Sequence, residues 1–231
     1  LYALMLFALC GGITLFGFQN LVTLFIGIEI LSIPLYVLAG ANKTDLRSNE
    51  ASIKYFLMGA FATGFLLFGI AFIYGSTGSF DLMNIQDFSI ANPSNIMFTI
   101  GVIMILCAMS FKVALAPFHM WSPDVYYGSP SLVTSFMASV VKISGFFALF
   151  KMMTIGFVGV TQEWINIFGV FVIITLLLAN VMGLAQTNAK RMLAYSSVSH
   201  AEYIGLVFFG MNSMSTYTLA FYLFAYSLAT V

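Results

Sequence analysis

Apolar runs, each long enough to cross a bilayer, follow one another along the whole chain. They fall at about 1–18, 20–40, 50–75, 96–126, 129–152, 164–185, 190–210 and 214–231. A helix needs roughly 20 such residues to traverse the hydrocarbon core. The strands of a membrane β-barrel take only about ten and alternate in polarity, which these runs do not. In lipid every backbone amide has to find its partner within the membrane, and a helix satisfies its own. The expected fold is therefore an all-α polytopic membrane protein of about eight transmembrane helices.

Composition agrees. Hydrophobic residues make up 61% of the 231 and charged residues 7%. A soluble domain carries roughly 25% charged residues. The lipid bilayer is the expected surrounding. With 8 basic and 8 acidic residues the formal net charge is zero, so no basic patch exists to attract nucleic acid. Cys10 and Cys107 sit inside apolar runs and read as buried free thiols acting as small hydrophobes. Two Cys and two His without ligand spacing give no expectation of a metal site. No signal peptide is visible. Both Leu1 and Val231 lie within apolar runs, so the sequence reads as an internal segment with helices expected on either side.

Turn chemistry separates the runs. Linkers are expected at 41–49 (ANKTDLRSN), 75–95, 124–130 (DVYYGSP), 161–163 and 185–188. Lysine and arginine concentrate in cytoplasmic loops of membrane proteins. With the 41–49 loop placed inside, alternation puts Lys43, Arg47, Lys190 and Arg191 on the cytoplasmic side. The acidic 75–95 segment and Lys151 then fall outside.

In so apolar a chain, charges inside the runs stand out. One charge at mid-bilayer costs about 2.5–3.5 kcal/mol even on the lenient insertion scale. Yet Glu29 lies near the middle of 20–40, Lys112 within 96–126, Lys142 near the centre of 129–152, and His200 within 190–210, with Glu202 two residues on. Lys54 follows Glu50 by four residues, the favourable order for a helical pair. Lys54 also fits a snorkelling interfacial residue, and Lys151 an interfacial anchor. His200 fits a packing histidine equally well, and Glu202 receives no role. Glu29, Lys112 and Lys142 lie too deep to snorkel. A structural ion pair stabilises less well than apolar packing, and intramembrane ionisable residues mark transport pathways by default. Burial lowers a lysine pKa and a carboxylate raises it, so a lysine between the two is suited to exchange a proton, as arginine is not.

The run 96–126 is expected to be broken at Pro117, five residues after Lys112, with His119 and Pro123 beyond it. Proline removes a helical hydrogen bond and clashes with the preceding turn. Discontinuous helices beside ionisable residues are typical of transporters. Pro34, five residues after Glu29, is positioned to bend its own helix. Ser32, Thr134, Ser139, Ser196, Ser197 and Ser199 lie near the deep charges and could carry a proton wire or serve as helix–helix glue.

Four segments carry a resemblance: FIGIEILSIPLYVLAG at 25–40, EASIKYFLMGAFATGFLLFGIAFIYGSTGS at 50–79, FKVALAPFHMWSPDVYYGSP at 111–130 and QTNAKRMLAYSSVSHAEYIG at 186–205. The chain resembles subunit N of proton-translocating NADH:quinone oxidoreductase, respiratory complex I, the bacterial counterpart of mitochondrial NADH dehydrogenase subunit 2. The resemblance implies an antiporter-like architecture of inverted five-helix repeats, each with a broken helix. Residues 1–152 would be the first repeat and 153–231 the truncated start of the second. It implies a proton pathway through Glu29, Lys112, Lys142 and His200, joined by Lys54 and His119. Glu29 would modulate Lys112 on the broken helix, and Lys142 would link the first half-channel to the second.

By the same resemblance the chain would be a non-redox membrane subunit with no catalytic residue of its own. NADH, FMN, iron–sulfur clusters and quinone would be bound by partner subunits, and no cofactor by this chain. Its partners would be other complex I membrane subunits, neighbouring antiporter-like ones among them, in a bacterial inner membrane. A subunit of a multisubunit Na+/H+ antiporter, or of a related membrane hydrogenase complex, shares the same features. A purely structural scaffold would use the charges only to associate helices.

Overall fold

The computed structural model describes residues 1–210 and 214–230. Among these the regular elements are helical, with one isolated antiparallel bridge between Asn20 and Asp81. Five stretches are long and apolar enough to cross a membrane: Leu21–Ala39, Leu46–Thr77, Ile96–Gly128, Ser131–Gly156 and Val158–Leu184. The expected number was about eight; three further helices, Tyr2–Gly17, Ala189–Gly205 and Ser215–Thr230, are 16, 17 and 16 residues long.

Helices α1 (Tyr2–Gly17) and α2 (Leu21–Ala39) form a close antiparallel pair. Asn20 caps α2 by accepting from the Val22 amide. Glycines bring the two backbones together: a Cβ on Gly11 would stand 2.3 Å from the Leu31 nitrogen. Pro34 lies within α2, which continues through it to Ala39. Asp45 accepts from the Arg47 amide and starts α3 (Leu46–Thr77), the longest helix at 32 residues.

The segment 75–95 is not the loop its Gly, Asp and Pro content suggests. Helix α3 runs on to Thr77, where Gly78 takes a left-handed φ of 71° and closes the helix on the Tyr74 carbonyl. Asp81 then caps α4 (Leu82–Ala91) through the amides of Met83 and Asn84. Its Leu82, Ile85 and Ser89 are buried, and the helix packs against 152–160. A short amphipathic helix with polar residues on its outer face has the composition of a loop.

Helix α5 (Ile96–Val113) ends four residues short of Pro117. One 3-10 turn, Phe118–Met120, leads into α6 (Trp121–Gly128). The expected turn at 124–130 narrows to Ser129 and Pro130, because Pro123 sits in the first turn of α6, where its missing amide hydrogen is not needed. Beyond it α7 (Ser131–Phe136), a π-helical turn Met137–Val141, and α8 (Lys142–Lys151) form one continuous rod. A second π turn, Met152–Gly156, ends that rod, and the change of direction falls at 156–160. Thr161–Glu163, expected as a linker, is the first turn of α9 (Thr161–Leu184). Asn188 caps α10 (Ala189–Gly205), which is followed by α11 (Val207–Gly210) and α12 (Ser215–Thr230). Both cysteines are free; Cys107 is half-buried, whereas Cys10 faces outward on α1 and is not buried as expected.

Candidate functional site

The interruption between α5 and α6 is held by side chains that satisfy what the helix leaves open. Ala114 adopts a left-handed φ of 60° and donates to the Phe111 carbonyl, while the Leu115 amide returns to Ser110. The Ala116 amide donates to Thr175 Oγ1 of α9 at 2.8 Å. The indole of Trp121 donates to the Phe111 carbonyl at 2.9 Å. Irregular backbone at membrane depth needs protein partners of this kind. Trp121 in turn stacks on Tyr55 at 4.7 Å between ring centroids, and Tyr55 meets Tyr36 edge-on at 4.7 Å. Gly59 leaves room for the Tyr36 hydroxyl.

Lys112, in the last turn of α5, is 6% exposed. Its ammonium donates to the Ser32 hydroxyl, lies 5.7 Å from the centre of the Tyr36 ring, and forms no ion pair among the described residues. Ser32 donates onward to the Ile28 carbonyl. Glu29, one turn back on α2, is half-buried beside a shallow apolar groove and accepts from Thr63 Oγ1 at 2.9 Å. Ser32 lies one turn from Glu29 on α2 and binds the lysine.

Lys142 is 1% exposed at the junction of the π turn and α8. It donates to the Ser197 backbone carbonyl of α10, with the Tyr226 ring 5.5 Å away. Tyr226 shares a hydrogen bond of 2.7 Å with the Ser197 hydroxyl. His200, half-buried, has Nδ1 2.9 Å from the Tyr222 hydroxyl and its ring 5.0 Å from Tyr226. These residues form one polar cluster between α8, α10 and α12. A cavity of about 690 Å³ opens beside it, bordered by Tyr126, Thr134, Lys190 and His200.

Lys54 and His119 stand apart from both lysines. Lys54 pairs with Glu50 at 2.7 Å and with Asp124 at 2.9 Å, its side chain 41% exposed. Arg191 of α10 takes the other Asp124 oxygen at 3.0 Å, and Arg47 donates to the Tyr127 hydroxyl at 2.8 Å. Lys190 donates to the Ser129 carbonyl at the same end. Lys151 instead donates to Phe18, beside the bridge that ties α2 to the start of α4. His119 is buried, and its Nδ1 has no hydrogen-bond partner among the described residues; the same holds for the hydroxyls of Tyr36, Tyr55, Ser110 and Ser122. No three His, Cys, Asp or Glu side chains converge among the described residues.

Reading the sequence alone missed Asp124 as the shared partner of Lys54 and Arg191. It also missed Thr63 on Glu29, and the tyrosines at both buried lysines. Tyr36 falls inside a motif already singled out, which was the available signal; Tyr226, at Lys142, lies outside those motifs.

A family model described as NADH:quinone oxidoreductase/Mrp antiporter, TM, matches residues 19–231. The chain is 44% identical over 230 residues to NADH-quinone oxidoreductase subunit N of Cytophaga hutchinsonii, covering 100% of this chain and 50% of that protein. It is 40% identical over 233 residues to the same-named protein of Trichlorobacter lovleyi, covering 100% and 48%. The chain thus spans about half the length of the curated relatives it matches. A chain of respiratory complex I from Thermus thermophilus with bound aureothin superposes with a TM-score of 0.82 at 36% identity, covering 99% of this chain and 50% of that one. On the match over residues 19–231, this membrane protein belongs to the NADH:quinone oxidoreductase/Mrp antiporter transmembrane family, in which it is similar to the N subunits.

Proposed function

We propose that this chain is part of a proton-translocating membrane subunit of NADH:quinone oxidoreductase in a bacterial inner membrane. The redox chemistry would lie in partner subunits that hold NADH, FMN, iron–sulfur clusters and quinone. The observation that carries this reading is the pair of buried lysines, Lys112 and Lys142, neither in an ion pair among the described residues. A lysine satisfied by a hydroxyl or a carbonyl can lose its proton without leaving a buried anion behind. Such a group suits loading and unloading.

On this reading residues 1–152 form the first antiporter-like repeat, and the interruption after Val113 is its broken helix. Residues 153–231 begin the second. Change in the neighbouring subunits would alter the charge at Glu29, and Ser32 would relay the effect to Lys112. The proton would then pass to Lys142 and the His200 cluster. The polar groups of Tyr36, Tyr55, Ser110, Ser122 and His119, without hydrogen-bond partners among the described residues around the break, support a hydrated entry there. The half-exposed position of Lys54 supports a role at the cytoplasmic mouth.

The test is Lys112→Ala in the complete complex in inverted membrane vesicles. Proton pumping driven by NADH is expected to fall with the assembled complex still present. Pumping unchanged per assembled complex would remove Lys112 from the pathway. Proton transport driven by a sodium gradient, and not by NADH, would favour the multisubunit antiporter reading.

A further inference from the structure

Glu202 plays no part in the axis described above, yet it is 0% exposed within α10. Among the described residues no cation pairs with it. Arg191, on the same helix, lies roughly three turns away and is bound to Asp124. Lys190 is held by Ser129, while His200 and Tyr222 contact each other towards α12. On α9 the residue facing Glu202 is Asn180, a neutral amide.

Three contacts join Glu202, Ser199 and Asn180. Asn180 Nδ2 donates to Glu202 Oε1 at 3.2 Å. Ser199 Oγ lies 3.1 Å from the same Oε1 and 3.0 Å from Asn180 Oδ1. The amide orientation is fixed independently, because Nδ2 also donates to the Leu176 carbonyl at 2.7 Å. Asn180 Oδ1 therefore accepts only. The Ser199 hydroxyl has a single hydrogen and faces two oxygens. If Glu202 were an anion, one of those contacts would be two acceptors face to face. A proton on Oε1 resolves this: Glu202 donates to Ser199, Ser199 donates to Asn180, and Asn180 donates back to Glu202. The second oxygen, Oε2, is buried with no hydrogen-bond partner among the described residues. A full negative charge spread over it would be uncompensated, while a neutral acid tolerates it far better.

We propose that Glu202 is a second proton-binding site, off the lysine axis, holding its proton as a neutral carboxylic acid in a closed ring with Ser199 and Asn180. It lies on the face of α10 opposite His200, so this one helix carries a titratable group on each side. Asn180 is exposed on the outer surface of α9 and links the site to that surface. Glu202 holds this proton whether or not the axis pumps, so failure of the pumping reading leaves the site standing.

Infrared absorption of the complete complex in nanodiscs at neutral pH distinguishes the two states. The wild-type-minus-Glu202→Gln difference is expected to show the loss of one protonated-carboxyl carbonyl band, sensitive to deuterium exchange. Loss of a carboxylate band in its place overturns the proposal. If Glu202→Gln does not assemble, Ser199→Ala keeps the acid and removes the hydroxyl to which its hydrogen is donated. The same carbonyl band should then move towards that of a free acid, and an unchanged acid-carbonyl region overturns the proposal.

Discussion

The ammonium of Lys112 donates to the hydroxyl of Ser32 and not to the carboxylate of Glu29, one turn away on the same helix. On the proposed pathway Ser32 would transmit the influence of Glu29 to the lysine. Ser32→Ala removes that link and leaves both charges in place. A hydrogen bond to a charged group is worth about 1.5–3 kcal/mol. NADH-driven pumping is then expected to fall on the order of tenfold, since about 1.4 kcal/mol is a factor of ten in rate. The effects of Glu29→Gln and Ser32→Ala should also be non-additive, as residues in one network are. Additive losses in the double variant would show that Glu29 acts on Lys112 by another route.

Lys142 offers a sharper discrimination between a fixed charge and an exchanging one. It is almost wholly enclosed and bound to a backbone carbonyl. Arginine would keep the positive charge but does not release its proton. In assembled complex, Lys142→Arg is expected to abolish pumping as completely as Lys142→Ala. Full pumping by the arginine variant, measured as proton uptake in vesicles, would make Lys142 an electrostatic element only.

What could be read in advance follows from what lipid demands. The runs beneath α2, α3 and α9 were legible because spanning length is a hard constraint. Glu29, Lys112 and Lys142 stood out because a charge there is costly. Their partners were not legible. Which face of α2 meets Lys112 is set by the rotation of packed helices, so the bond fell to Ser32 although Glu29 was the charged candidate. Helix α4 was hidden because its caps, Asp81 and Asn92, are also turn residues. Asp124 read as part of a turn because proline and glycine flank it, yet Pro123 opens a helix there. The surroundings of Glu202 come from Asn180, 22 positions away on another helix, and no local pattern reports that.

Asp124 joins three helices, accepting from Lys54 of α3 and Arg191 of α10 while sitting on α6. All three side chains are about one-third exposed or more. Exposed pairs of this sort are worth about 0–1 kcal/mol each and are screened by salt. Asp124→Asn is expected to lower the melting temperature of the purified complex modestly at low ionic strength. The difference from wild type should narrow as salt is raised. A large loss of stability that persists at high salt would mean that Asp124 is bound more tightly than its exposure indicates.

Two glycine-to-alanine changes should move stability in opposite directions. A Cβ on Gly11 would lie 2.3 Å from the Leu31 nitrogen and 2.8 Å from the Ile30 carbonyl carbon, both backbone atoms that no rotamer change can clear. A Cβ on Gly64, within α3, would meet no atom of another element among the described residues within 4 Å. Close approach of helix backbones through small residues is what replaces the hydrophobic effect in lipid. Gly11→Ala must therefore push α1 away from α2, at a cost of about 1–3 kcal/mol or more. Gly64→Ala should be neutral or stabilising by up to about 1 kcal/mol, from helix propensity alone. Thermal unfolding of the two variants in the same detergent reads the contrast directly. Equal melting temperatures would mean that α1 does not seat against α2 at Gly11.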